Sequence, residues 1–138
     1  MEIAPLSTPD EAQIGAIVTL WEACGLTRAW NDPRADIVRA VNGPASALLV
    51  GRIGADTVAT AMVGHDGHRG AVYYMAVAPG HQRAGHGAAM MAAVEAWLRL
   101  HGAPKLNLMV RPENRAVAAF YRALGYGEEE RLVLAKRL

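Results

Sequence analysis

The stretch AVYYMAVAPGHQRAGHGAAMM, residues 71–91, constrains this chain more than any other. An apolar run rich in strand formers stops at Pro79. Two glycines follow in a G-x-G spacing, and an apolar helical pattern begins at once. Glycine weakens a helix, so Gly85 and Gly87 at a helix start ask for a backbone reason. The first amides of a helix lack intrahelical partners and carry the positive end of its dipole. With no Cβ in the way, those amides can hold a phosphate or pyrophosphate. A tight turn alone would also account for the glycines. A dinucleotide fingerprint would follow the first strand of a βαβ unit, and here hairpins come first. A Walker A loop needs Gly-Lys-Ser/Thr, which is absent.

The elements around this stretch follow from periodicity. EIAPL reads as a short first strand. A helix is expected over 9–24, with Thr8 as N-cap, Pro9 in the first turn and Glu11 closing a capping box. Ile14, Ile17, Val18, Trp21 and Cys24 share its inner face, and Gly25 stops it. Residues 26–33 are a loop punctuated by Asn-Asp-Pro, and a shorter helix is expected over 34–42. Residues 46–53 and 57–65 form a hairpin through Gly54, Ala55 and Asp56. HDGHRG turns the chain into a strand over 71–77. A helix over about 85–101, a strand over 105–110, a helix from Asn114 to Leu124 and a last strand in EERLVLAKRL complete the chain. The expected fold is α/β: a mixed, mainly antiparallel sheet of six or seven strands flanked by about four helices.

At 138 residues the chain suits one domain over 1–138. No stretch is long and apolar enough for a membrane span, and the N-terminus lacks a basic and an apolar leader region. The single cysteine, Cys24, leaves no intramolecular disulfide. A cytoplasmic protein is the expectation. The net charge of +1 with scattered Lys and Arg argues against a nucleic-acid partner.

YYMAVAPGHQRAGHGAAMM resembles the acyl-CoA-binding segment of the GNAT N-acetyltransferase superfamily, whose pattern Q/R-x-x-G-x-G/A matches Gln82, Gly85 and Gly87. The family's second signature is similar to LMVRPENRAVAAFYRALGYG, in Val110, Asn114, Phe120-Tyr121 and Gly125-Tyr126. The resemblance covers essentially the whole chain. Departures are Ala84 where a basic residue is common, His86 where an aliphatic one is usual, and Met109 where relatives that acetylate ribosomal N-termini carry a glutamate.

The resemblance implies acetyl transfer from acetyl-CoA, as co-substrate and without a metal, to a primary amine of a small molecule or peptide. The backbone of Met75, Ala76 and Val77 would pair with the pantetheine arm. Gln82, Arg83, Ala84, Gly85, His86, Gly87 and Ala88 would form the pyrophosphate loop, and Asn114 would bond the pantetheine or merely cap its helix. An N–H near Ala76 or Val77 would stabilise the oxyanion. Tyr121 is the implied general acid for the leaving thiolate, and Tyr73 is a candidate end of the route that takes the amine's proton. Trp30, Asp32, His65 and Tyr74 are candidate acceptor contacts. Strand parity sets Tyr73, Met75 and Val77 on one face and Tyr74 and Ala76 on the other. HDGH offers two histidines of a metal site, but a zinc site needs three or four ligands, and His81 and His86 are not obviously near. The alternative is a non-catalytic acyl-CoA-binding module of the same fold. Either a monomer or a homodimer is open.

Overall fold

Asp10, not Thr8, begins the first helix. Its side chain accepts from the Gln13 backbone N–H at 2.8 Å, and the Gln13 side chain accepts from the Asp10 N–H at 3.1 Å. This reciprocal box satisfies two helix-end donors, and it moves the start of α1 to Glu11–Ala23. Asp32 likewise caps α2, Pro33–Asn42, by accepting from the Ala35 N–H at 3.1 Å.

The computed structural model describes residues 1–138 and separates into two compact units, 1–108 and 109–138. The first unit carries β1 (Glu2–Pro5), α1, α2, β2 (Ser46–Ile53), β3 (Asp56–His65), β4 (Gly70–Val77), α3 (His86–Leu100) and β5 (Leu106–Asn107). Its strands lie in the order β1-β2-β3-β4-β5; the first three pairings are antiparallel and β4–β5 is parallel. The sheet therefore has five strands, not six or seven, although its mixed, mainly antiparallel character and four helices match expectation. β5 is two residues long instead of six, and residues 127–138 join no strand.

One face of the sheet holds α1 and α2. Ile14, Ile17, Leu20 and Trp21 of α1 and Ile37 of α2 form a buried cluster with Leu48, Val50 and Ala76 of the sheet. Ala59, Ala61 and Val63 of β3 are buried outside this cluster, as are Met90, Met91, Val94 and Leu98 of α3. Strand alternation turns the β3 residues to the opposite face, where α3 packs. Gly70 is required there: a Cβ would sit 2.6 Å from the Leu98 side chain.

The second unit contains α4, Arg115–Ala123. Gly125, at φ 93°, ends it in the left-handed conformation. The Gly125 N–H donates to the Arg122 carbonyl and the Tyr126 N–H to the Tyr121 carbonyl, the two bonds of a Schellman stop.

Candidate active site

Thr60 and Met62 stand two apart on β3, but their partners Ala76 and Tyr73 stand three apart on β4. The extra residue makes a β-bulge at Tyr74–Met75. Tyr74 absorbs it at φ 49°, a left-handed conformation costly for a bulky side chain. Directly opposed residues of an antiparallel pair share a face, so Tyr73 lies on the same face as Ala76. Tyr74 packs against the cluster on that face too. The expected split of Tyr73 from Tyr74 and Ala76 thus fails, because the bulge slips the alternation by one residue.

A network running from the core out to the surface holds the bulge. The Trp21 and Tyr74 rings stack at 3.7 Å, 8° from parallel. Trp21 Nε1–H donates to Thr60 Oγ1 at 2.8 Å, and the Thr60 hydroxyl donates to the Tyr74 carbonyl at 2.9 Å. The Tyr74 hydroxyl donates to Asp36 Oδ2 at 2.7 Å, while Arg39 holds Oδ1 at 2.8 Å. Burial first, then the bond to Asp36 and the charges of Asp36 and Asp32, push the Tyr74 hydroxyl far above the usual tyrosine range. Tyr74 is therefore engaged through both ring and hydroxyl in fixing its own strand.

Past the bulge, β4 has one open edge. β5 pairs with it only at Gly70 and Ala71. The Ala78 N–H donates inward to Val58 on β3. Alternation of backbone polarity then turns the N–H and C=O of Val77 and Met75 outward, and those of Ala76 toward β3. The Val77 carbonyl on this edge accepts from Gln82 Nε2 at 3.1 Å and from Cys24 Sγ at 3.3 Å. Burial pushes the Cys24 thiol up, and this half-buried residue packs against the core as a neutral group.

The edge runs into the loop. Pro79–His81 makes one 3₁₀ turn, Gln82 is extended, and Arg83 and Gly85 are left-handed at φ 61° and 82°. Left-handed residues between ordinary ones turn successive N–H groups into one concavity that suits an anion. Gly85 is the N-cap of α3 and supplies no capping side chain, so the first-turn amides have no side-chain acceptor. The His81 and His86 rings flank the loop with centroids 6.2 Å apart. Gln82, Arg83, Ala84, Gly85, His86, Gly87 and Ala88 thus form one contiguous loop and first turn.

In the second unit, Asn114 occupies the N-cap of α4 but its side chain makes no capping hydrogen bond, which leaves its amide for another partner. Tyr121 is buried, edge-on to Phe120 at 5.0 Å and to Tyr126 at 5.7 Å. Burial pushes its hydroxyl pKa up, so it stays protonated at neutral pH.

The remaining candidates scatter. Trp30 is exposed on the loop before α2, and Asp32 is occupied as a cap. Tyr73 is exposed beside the bulge. His65 packs with Trp97 and His101 at the C-terminal end of α3, a helix roughly 22 Å long by its residue count, away from the anion loop at the other end. In HDGH, Asp66 accepts from the backbone N–H groups of His68 and Arg69, which hold its carboxyl below the usual range. No three His, Cys, Asp or Glu side chains come together as metal ligands. Thr60, Asp36 and Trp21 were missed as site residues. The one signal was a threonine set in the apolar run TVATAMV.

A mixed sheet whose bulged strand runs along an open edge into a glycine-capped helix start has the layout of an acyltransferase. The Acetyltransferase (GNAT) family model matches residues 15–126, and the chain belongs to that family. It is an N-acetyltransferase enzyme. It is 41% identical over 122 residues to an acetyltransferase of Yersinia pestis (strain Pestoides F), covering 88% of this chain and 86% of the relative. Against an acetyltransferase of Sodalis glossinidius (strain morsitans) the identity is 43% over 123 residues, with 88% and 87% covered. Among solved structures, AAC(6')-Iy in complex with the bisubstrate analog CoA-S-monomethyl-acetylneamine superposes with a TM-score of 0.82 at 17% identity, over 99% of this chain and 97% of the other. The ribosomal-protein-S18-alanine N-acetyltransferase from Escherichia coli gives 0.76 at 22%, over 94% and 79%. At these identities the structural likeness is one of fold.

Proposed function

We propose that this chain moves an acetyl group from acetyl-CoA directly to a primary amine of a small molecule or peptide, and that its two units work as one domain. The family match, which runs across both units, supports the one-domain reading. The observation that carries the reaction is the open edge of β4 leading into the left-handed loop at the start of α3. The residues fit the co-substrate: the outward N–H and C=O of Met75 suit the amides of a pantetheine arm, the outward N–H of Val77, whose carbonyl is held by Gln82 and Cys24, is left for the thioester end, and the concave amides suit a pyrophosphate.

Acetyl-CoA supplies an activated thioester. The chain's own residues do the rest. Of the two candidate oxyanion donors, Val77 has the N–H that faces the open edge, and it polarises the carbonyl. The bulge, locked by Thr60 and Tyr74, fixes where that N–H points. Tyr121 donates a hydrogen bond to the sulfur as the thiolate leaves. A thiol has a pKa of about 8.5 against about 10 for a phenol, and burial raises Tyr121 further. Complete proton transfer from Tyr121 is therefore uphill, and its part is to stabilise developing charge, not to give up the proton. The amine's proton leaves through solvent at the exposed Tyr73. Asn114, free of its cap, bonds the pantetheine.

The test is a panel of small amines and peptides incubated with acetyl-CoA, read as free CoA with the product identified by mass. An acetylated amine formed in step with CoA supports the reading. CoA binding without turnover on any amine would favour the non-catalytic module, and absence of CoA binding would end both.

A further inference from the structure

β4 ends where no further ladder bond can form. The Ala78 N–H donates to the Val58 carbonyl at 2.8 Å, and the next residue, Pro79, has no N–H. In a trans peptide the C=O points opposite to the N–H, so the Val77 carbonyl of that same plane faces out of the edge. There it accepts from Gln82 Nε2 at 3.1 Å and from Cys24 Sγ at 3.3 Å. The last peptide of the strand is thus held from both sides. Only φ and ψ of Val77 separate it from the plane that carries the Val77 N–H.

Two donors fill both lone pairs of the carbonyl, so no pantetheine amide is needed there. The thiol is the weaker donor, and Gln82 is the principal tie. Gln82 is exposed and extended, at the entry to the left-handed turn of Arg83 and Gly85. A carbonyl only accepts, so the carboxamide turns its nitrogen, its one anion-binding group, back to the strand. One side chain therefore connects the loop that suits a pyrophosphate to the strand end that faces a thioester.

We propose that Gln82 is a positioning residue: by holding the Val77 carbonyl it aims the Val77 N–H at the thioester oxygen while the loop holds the pyrophosphate. This rests on the acetyl-transfer reading and gives Gln82 a part in the chemical step, not in anion binding. Gln82 touches neither the sulfur nor the acetyl group and acts only through Val77.

Gln82→Met keeps the length of the side chain and removes its donor. Gln82→Arg restores N–H groups at similar reach. Both should melt close to the wild type, since the position is exposed. On the amine with the best turnover in the panel, Gln82→Met should lower kcat about fivefold to tenfold, the worth of one such bond. Its affinity for desulfo-CoA in calorimetry should hardly change, and Gln82→Arg should recover most of kcat. A second readout needs no turnover. In NMR, acetyl-CoA should move the Val77 amide proton further than desulfo-CoA does, and Gln82→Met should abolish most of that difference. If the wild type acetylates nothing on the panel, the transfer reading fails and the Val77 signal alone decides. The proposal is overturned by equal falls in kcat and desulfo-CoA affinity, by a Gln82→Arg enzyme no faster than Gln82→Met, or by a Val77 shift that Gln82→Met keeps in full.

Discussion

Tyr121→Phe keeps the ring packing against Phe120 and Tyr126 and removes only the hydroxyl. Loss of one donor to developing charge costs about 10²–10³ in rate, and water replaces part of it. The expected result is a fall in kcat of about 10²-fold with little change in CoA affinity, measured where chemistry limits turnover. Unchanged kcat would remove Tyr121 from the mechanism. Gly85 gives a second test at this scale. A Cβ there meets open space, but φ 82° penalises any β-branched side chain regardless. Gly85→Val should therefore lose both stability and cofactor affinity. Gly85→Asn, which tolerates the left-handed region, should keep its melting temperature within a few degrees and still bind CoA more weakly in calorimetry. The G-x-G was legible in the sequence because glycine announces its own backbone. Arg83 was not, since nothing in an arginine says that its φ will be positive.

β4 is the element on which the site turns, and the sequence concealed its main feature. A bulge adds one residue without changing composition, so AVYYMAV reads as an unbroken alternation. Only the register against β3 and the distant partners Trp21, Asp36 and Thr60 disclose it. Thr60→Val should leave the Trp21 indole N–H without its buried acceptor, a cost of about 1–3 kcal/mol. Its signature should be a fall in kcat larger than the fall in CoA affinity in the fraction still folded, since the β4 edge shifts while the pyrophosphate loop is untouched. A drop in melting temperature with kcat intact would make the network purely structural. The bulge also sets a pH dependence. The Tyr74 pKa is raised in the folded chain, so above about pH 10 the unfolded chain loses this proton while the folded chain keeps it. Stability is full below that pH and falls as pH rises. Tyr74→Phe should be less stable at neutral pH, where it lacks the bond to Asp36, yet show a shallower alkaline fall in denaturant melts. Equal alkaline slopes in the two proteins would count against the raised pKa.

For the whole chain, element order was the legible part. Helix caps, glycine stops and two apolar periods gave most boundaries within a few residues. The fifth and sixth strands misled, because strand periodicity states what a segment is able to pair with, not whether a partner lies within reach. LNLMV became two paired residues and RLVLAKRL none. The acceptor was not legible at all: Trp30 and Asp32 lie on the connection before α2 and His65 at the end of β3, and no motif links them. Binding at the molecular scale is nonetheless checkable without knowing it. A ligand that binds only the folded chain stabilises it by RT ln(1 + [L]/Kd), about 2.7 kcal/mol at a hundredfold excess over Kd. Acetyl-CoA in millimolar amounts should therefore raise the melting temperature by several degrees. Desulfo-CoA, which keeps the pyrophosphate and most of the pantetheine, should do nearly as well. NAD also carries a pyrophosphate but has no pantetheine amides to pair with Met75 along the β4 edge, and should do little. A shift with NAD as large as that with acetyl-CoA would mean that the loop holds a pyrophosphate while the open edge of β4 contributes nothing to recognition.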